Sequence, residues 1–181
     1  MSSQEMKSDR QIMKEASAES GKQTPQNYFG TLSVSTGVIA GIIGAVGIII
    51  VIGILALVTG RDPFLSPRFI ASIVLRDAAW ATGAGATLAI GLGTVMHLIT
   101  GAIYGAIFAL VMPKMPRGFW FVAGILFAVV LWVISAFGLP LITPENQIDS
   151  LVYTNAEIVS HLIFGITLGI AGSFFGTVTS K

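Results

Sequence analysis

The sequence predicts an all-α integral membrane protein, a bundle of four transmembrane helices. Of its 181 residues 54% are hydrophobic and only 10% are charged, whereas a soluble domain carries about 25% charged residues. The charges are also unevenly placed, because residues 23–60, 78–113, 118–144 and 158–180 contain none. Each of these windows exceeds the roughly 20 apolar residues that a helix needs to cross a bilayer.

The predicted domain organisation is a polar tail followed by one membrane domain. Residues 1–30 mix both signs of charge with Ser, Gln and Gly. They lack the apolar area that offsets chain entropy and are predicted to be a disordered cytoplasmic tail. The membrane domain spans 31–181, with transmembrane helices predicted at about 32–59, 84–112, 118–141 and 155–179.

The connector between the first two helices predicts a short external helix. Ser66 precedes Pro67, an arrangement typical of a helix start. Phe69, Ile70 and Ile73 then fall on one helical face. A short helix with one apolar face is expected to lie in the membrane interface rather than to span the bilayer.

The basic residues predict the orientation. Three arginines, Arg61, Arg68 and Arg76, lie on the side of the external connector. The tail, the turn after the second helix and the C-terminus carry the other seven lysines and arginines. The positive-inside rule therefore predicts a multi-pass protein with both termini cytoplasmic. A net charge of +1 gives no electrostatic reason to expect a nucleic-acid partner.

A short internal sequence repeat links the second and fourth predicted helices. HLITGAIYG begins at His97 and HLIFGITLG begins at His161, and these are the only two histidines. Each follows an outward helix and an external connector, so the chain is predicted to be two similar hairpins, a possible parallel repeat about the membrane normal.

Glycines recur at a spacing of four on the predicted helices. Such a spacing gives each histidine a face shared with two glycines, and small residues let another helix approach closely in a membrane. We expect these faces to pack against other helices; the positions are Gly37, Gly41, Gly101, Gly105, Gly165 and Gly169.

The histidine pair has a structural interpretation. A neutral histidine inside a bundle can hydrogen-bond a neighbouring helix. Glu157 lies one turn before His161 and is placed to hold its ring, and Tyr104 lies on about the same face as His97. In this interpretation the two histidines are an intramembrane hydrogen-bonding pair.

A second interpretation is a bis-histidine haem b that transfers electrons. Two imidazoles at one depth can ligate iron, and glycines leave room for the macrocycle. Arg61, Arg68 or Arg76 would then meet the propionates on the same side. Apart from this haem alternative, we expect the protein to bind no cofactor.

Transport and catalysis are the remaining interpretations. Ionisable groups inside a membrane suggest function, but the predicted spans contain no carboxylate except Glu157 at an edge. A small transporter or channel therefore ranks third. No Ser-His-Asp, H-E-x-x-H or paired-carboxylate arrangement is present and the chain has no cysteine, so neither an enzyme nor a metal site is predicted.

The motif W-x-x-x-x-x-G-x-P from Trp132 to Pro140, followed by H-L-x-x-G-x-x-x-G, resembles the YagU-like small bacterial inner-membrane proteins, mainly over residues 119–176. That group has no established activity, so the resemblance implies a multi-pass inner-membrane protein only. The leading functional expectation is a structural or accessory subunit in the lipid bilayer. It would pack through its glycine faces as a homo-oligomer or with other membrane subunits.

Overall fold

The structure is a computed structural model that describes Lys14 and residues 29–112, 114–142 and 155–178. Apart from Lys14 and the last two residues, the predicted tail 1–30 lies outside these described residues. The loop 143–154 and residues 179–181 lie outside them as well.

Four long helices dominate the described chain, and each is long and apolar enough to cross a membrane. The mostly helical architecture with four apolar helices is therefore confirmed. A shorter helix lies between the first two long ones. In chain order the helices are α1 (Val34–Val58), α2 (Leu65–Leu75), α3 (Ala84–Val111), α4 (Phe119–Ile142) and α5 (Asn155–Phe175).

Helix α2 starts and faces differently from the sequence prediction. It begins at Leu65 with Phe64 at the N-cap, and the Phe64 N–H donates to Asp62 Oδ1 at 2.9 Å. Its apolar face turns toward the protein: Phe69 is 7% exposed, and Ile70 and Ile73 line an internal cavity. The apolar face therefore packs on the protein, and the interfacial location of the helix stays a prediction.

A small antiparallel sheet corrects the all-α prediction. It has the order β2-β1-β3, with β1 at Phe29–Thr31, β2 at Met115–Pro116 and β3 at Thr177–Val178. The last helix was predicted to reach 179, but it ends at Phe175. Three chain segments meet at this end of the helices, and their backbone groups pair with one another instead of staying unsatisfied. We call this end the sheet side and the opposite end the α2 side.

The helices pack as two hairpins. Helices α1 and α3 form hairpin 1, and α4 and α5 form hairpin 2. Helix α1 also contacts α5, and α2 packs on α3. At the α2–α3 contact, a Cβ added to Gly93 would collide with the Pro67 carbonyl oxygen.

Aromatic side chains fill the sheet-side half of the molecule. The Phe108 ring lies edge-on to Trp120, with centroids 6.0 Å apart, and 5.2 Å from the Phe127 centroid. Phe108, Trp120 and Leu168 are fully buried. This half is therefore densely packed.

Candidate functional site: a cavity between the hairpins

The glycines of hairpin 1 bring two helix backbones into direct contact. A Cβ at Gly41 would collide with the Gly101 carbonyl oxygen, and one at Gly37 would collide with the Gly105 carbonyl oxygen. The Cβ of Ala45 lies 2.7 Å from the position of a Cβ added to Gly101. Only glycine fits at these positions without moving a helix.

Hairpin 2 repeats the contact with a residue that the sequence analysis missed. A Cβ at Gly165 would collide with the Gly124 carbonyl oxygen and would lie 2.6 Å from the Ala128 Cβ. Gly169 lies against the backbone of Phe121. The detectable signal was the shared spacing G-x-x-x-A, which occurs at 41–45 and at 124–128.

The two hairpins thus use equivalent residues at equivalent places. Gly41 and Ala45 lie against Gly101 as Gly124 and Ala128 lie against Gly165. The four predicted residues of the α3 and α5 glycine faces, and the two of α1, all pack within this chain. The glycine faces are therefore occupied by intrachain contacts.

A cavity of about 240 Å³ lies between the hairpins and beneath α2. At about 30 Å³ per water it has room for roughly eight waters. Most of its walls are apolar, including Ile48, Ile52, Phe69, Leu131 and Phe164. Its polar lining comes from Ser66, His97, Thr100, Tyr104, Ser135, Glu157, Ser160 and His161.

His97 links the two helices of hairpin 1. Its ring hydrogen-bonds the backbone of Ala45 on α1, and its buried Nε2 has no hydrogen-bond partner among the described residues. A carbonyl can only accept, so a bond from Nδ1 to Ala45 would leave Nε2 as a free acceptor in the neutral ring.

His161 is held within its own helix. Its Nδ1 lies 2.9 Å from the Glu157 carbonyl oxygen, to which it donates. The backbone of Glu157, rather than the predicted carboxylate, therefore orients this ring. Its Nε2 lies 3.3 Å from Ser135 Oγ, and Ser135 Oγ also lies 3.0 Å from the Trp132 carbonyl oxygen.

Glu157 contributes a carboxylate to the cavity. The side chain is within hydrogen-bonding reach of Ser135, and its buried Oε2 has no partner in the part of the chain that the structure describes. Buried polar atoms without partners are uncommon in proteins, and each one calls for an explanation. Both unpartnered atoms at this site, His97 Nε2 and Glu157 Oε2, belong to residues that line the same cavity.

Each histidine lies about 14 residues, or roughly 21 Å, before the sheet-side end of its helix. Both rings line the same cavity. The predicted equal depth of the pair thus corresponds to one shared cavity. Within the described ranges no three His, Asp or Glu side chains are grouped to hold a metal ion.

The three predicted external arginines do not converge on the cavity. Arg68 donates to Asp62 Oδ2 at 3.1 Å and to the carbonyl oxygens of Ala79 and Ala81 at 3.0 Å each. Its guanidinium also lies 5.4 Å from the Trp80 ring centroid.

Arg76 and Arg61 have other surroundings. Arg76 donates to the Ile142 carbonyl oxygen at the end of α4, at 2.8 Å. It adopts a positive φ of 52°, which is rare for a residue with a side chain. Arg61 is exposed on the α2 side.

The comparison with known families covers nearly the whole membrane domain. The family model of DUF6789, a family of unknown function, matches residues 32–180. The chain belongs to the DUF6789 family. For this DUF6789 member, no curated protein and no solved structure gives a match.

Proposed function

We propose that this protein is a non-enzymatic membrane protein of transporter type, which takes a small solute into the cavity between its hairpins. The observation that carries the proposal is a pair of buried atoms, His97 Nε2 and Glu157 Oε2, that line one cavity and have no hydrogen-bond partner among the residues that the structure describes. Solute sites of many transporters lie between structural repeats near the middle of the membrane. Ionisable residues at such depth mark functional sites more often than packing sites.

The shape of the molecule supports access from one side. The sheet-side half is filled by Phe108, Trp120 and Phe127 and by the glycine contacts. The cavity lies on the other side of this packed region, where α2 covers it through Phe69, Ile70 and Ile73. A solute would therefore enter beneath α2, on the side that the distribution of basic residues predicts to be external.

The structure removes the reason for predicting an accessory subunit. That prediction relied on glycine faces available to a partner protein, and the chain's own helices cover these faces. A homo-oligomer or a complex with other membrane subunits would have to form through other surfaces. The YagU-like resemblance and the inner-membrane location with cytoplasmic termini remain predictions beside the family assignment.

The haem b alternative has one observation in its favour. The His161 ring donates Nδ1–H to a backbone carbonyl, as histidines that ligate metals do. However, the volume of about 240 Å³ is below the roughly 300–1,000 Å³ of pockets for drug-sized ligands. The glycines expected to make room are filled by neighbouring helices, and Arg68 is already bonded. The residues present do not fit a haem and favour a smaller ligand.

Cysteine labelling tests whether water and solutes reach the cavity. The chain contains no cysteine, so a single introduced thiol reports without background. Ser160→Cys and Ser135→Cys would place thiols at the cavity. The adjacent Val159→Cys and Ile134→Cys would place them on outer faces, where the natural side chains are 37% and 55% exposed.

A small hydrophilic methanethiosulfonate reacts with thiolates, which form in water and not in hydrocarbon. In liposomes we expect both cavity thiols to react several times faster than their neighbours. Equal and slow reaction at all four positions would contradict the proposal. It would favour the structural interpretation, in which the histidines only hydrogen-bond neighbouring helices.

A further inference from the structure

The chemistry of the cavity lining identifies a class of ligand for the proposed site. His161 commits Nδ1–H to the Glu157 carbonyl, so its Nε2, 3.3 Å from Ser135 Oγ, is an acceptor. His97 Nε2 is buried at the same cavity without a hydrogen-bond partner among the described residues. Glu157 Oε2 is a third acceptor. The described lining contains no lysine or arginine that would neutralise the carboxylate.

A ligand that satisfies this lining must donate hydrogen bonds and carry positive charge. Burial of an ionised carboxylate is costly unless it is paired, and an ammonium group brings three donors and one positive charge. In the described lining the hydroxyl donors are those of Ser66, Thr100, Tyr104, Ser135 and Ser160. An anion would find no cationic side chain among these described lining residues.

The walls indicate that the cation is organic. Ile48, Ile52, Phe69, Ile73 and Phe164 line most of the cavity and suit a hydrocarbon body. A bare metal ion fits less well, because the described residues include no group of three His, Asp or Glu ligands. The volume of about 240 Å³ accommodates an amine of a few carbon atoms.

We infer that the cavity binds a small protonated organic amine, with its ammonium group on the Glu157 carboxylate and the Nε2 atoms of His97 and His161 and its hydrocarbon body against α1 and α2. This inference rests on the proposed function and specifies its ligand class. The Tyr104 and Phe164 rings also line the space, and aromatic faces attract cations.

Calorimetry on the detergent-purified full chain tests the inference with n-butylammonium as the probe. 1-Butanol and butyrate, at matched ionic strength, have the same hydrocarbon body without the positive charge. We expect saturable binding of n-butylammonium alone. Binding of butyrate or 1-butanol with similar affinity, or no saturable binding of the amine, would overturn the inference.

The matched variants are Glu157→Gln and Asp77→Asn. Both remove one negative charge on the α2 side, but Asp77 is exposed in the 3₁₀ helix after α2. We expect Glu157→Gln to raise the Kd for n-butylammonium about tenfold or more, because hydrogen bonds to a charged group are the strong ones. Asp77→Asn should leave the Kd unchanged.

The outcomes separate this inference from the proposed function. An unchanged Kd in Glu157→Gln would overturn the ligand assignment, and if that variant does not fold, the three probes on the natural chain decide. Fast thiol labelling without amine binding would leave a solute cavity with a different ligand. Slow labelling together with no amine binding would contradict both the ligand assignment and the proposed function.

Discussion

In hairpin 1, Gly41 and Ala45 of α1 lie against Gly101 of α3, and in hairpin 2, Gly124 and Ala128 of α4 lie against Gly165 of α5. The same backbone contact is thus built twice. The polar contacts differ: the His97 ring interacts with the backbone of Ala45 on α1, whereas His161 bonds to the backbone of its own helix and to Ser135 of α4. The comparison indicates that the glycine contact holds each hairpin together, while the polar residues distinguish them at the cavity.

The covering of the cavity is also asymmetric. Helix α2 packs on hairpin 1, where Gly93 leaves room for the Pro67 carbonyl. Its extension reaches hairpin 2 through the Arg76 hydrogen bond to Ile142. Hairpin 2 in turn supplies the carboxylate of Glu157 and the hydroxyl of Ser135. Each hairpin therefore contributes a histidine, but the cover comes from one and the carboxylate from the other.

The largest expected effect comes from breaking the shared contact. Gly41→Leu and Gly124→Leu each force a side chain against a backbone carbonyl, which a rotamer change cannot avoid. We expect each to lower the free energy of unfolding by about 3 kcal/mol, measured by thermal or denaturant unfolding in detergent. If the hairpins are equivalent, the two losses should be similar.

Gly91→Leu is the control for this pair of variants. Gly91 lies in α3, but a Cβ there meets no atom of the described residues within 4 Å. Its stability should stay near that of the natural chain. A normal stability for Gly41→Leu or Gly124→Leu would show that the hairpins are not held by these contacts.

A smaller effect is expected from breaking the hydrogen bonds that hold α2 to the segments before and after it. Arg68→Ala removes the donor that satisfies Asp62, Ala79 and Ala81. We expect a loss of about 2 kcal/mol, since hydrogen bonds involving a charged group contribute about 1.5–3 kcal/mol. Thermal unfolding measures it, and Arg68→Lys should recover only part, because an ammonium lacks the planar fork of donors. Full recovery by lysine would contradict this geometry.

The smallest expected effect separates the two histidines. His97→Gln removes a bond between helices, which in membrane proteins contributes about 0.6 kcal/mol on average. His161→Gln removes the Nδ1 bond within α5, while the glutamine amide can keep the contact with Ser135 of α4, so the free energy of unfolding should change less. Unfolding of both variants in the same detergent provides the comparison. A larger loss of unfolding free energy for His161→Gln than for His97→Gln would contradict this ranking of the two histidines.

Composition and charge-free windows predicted the four apolar helices because membrane helices need long uncharged segments. The spacing of four predicted that Gly101 and Gly165 lie on packing faces, but it did not identify the partner helix. Gly124 was missed because one glycine and one alanine make a weak signal. The sheet was missed because strands of two or three residues have no detectable periodicity. The cavity depends on side chains from all five helices, which no local pattern reveals.

The proposed site requires both histidine rings to present Nε2 lone pairs to one cavity. Nitrogen NMR of ¹⁵N-histidine-labelled protein in lipid nanodiscs tests it directly, because the chain has only two histidines. We predict the Nδ1–H tautomer for both rings and a shift of both Nε2 resonances on addition of n-butylammonium. An Nε2–H tautomer in the probe-free protein, or a shift in only one ring, would contradict a shared site.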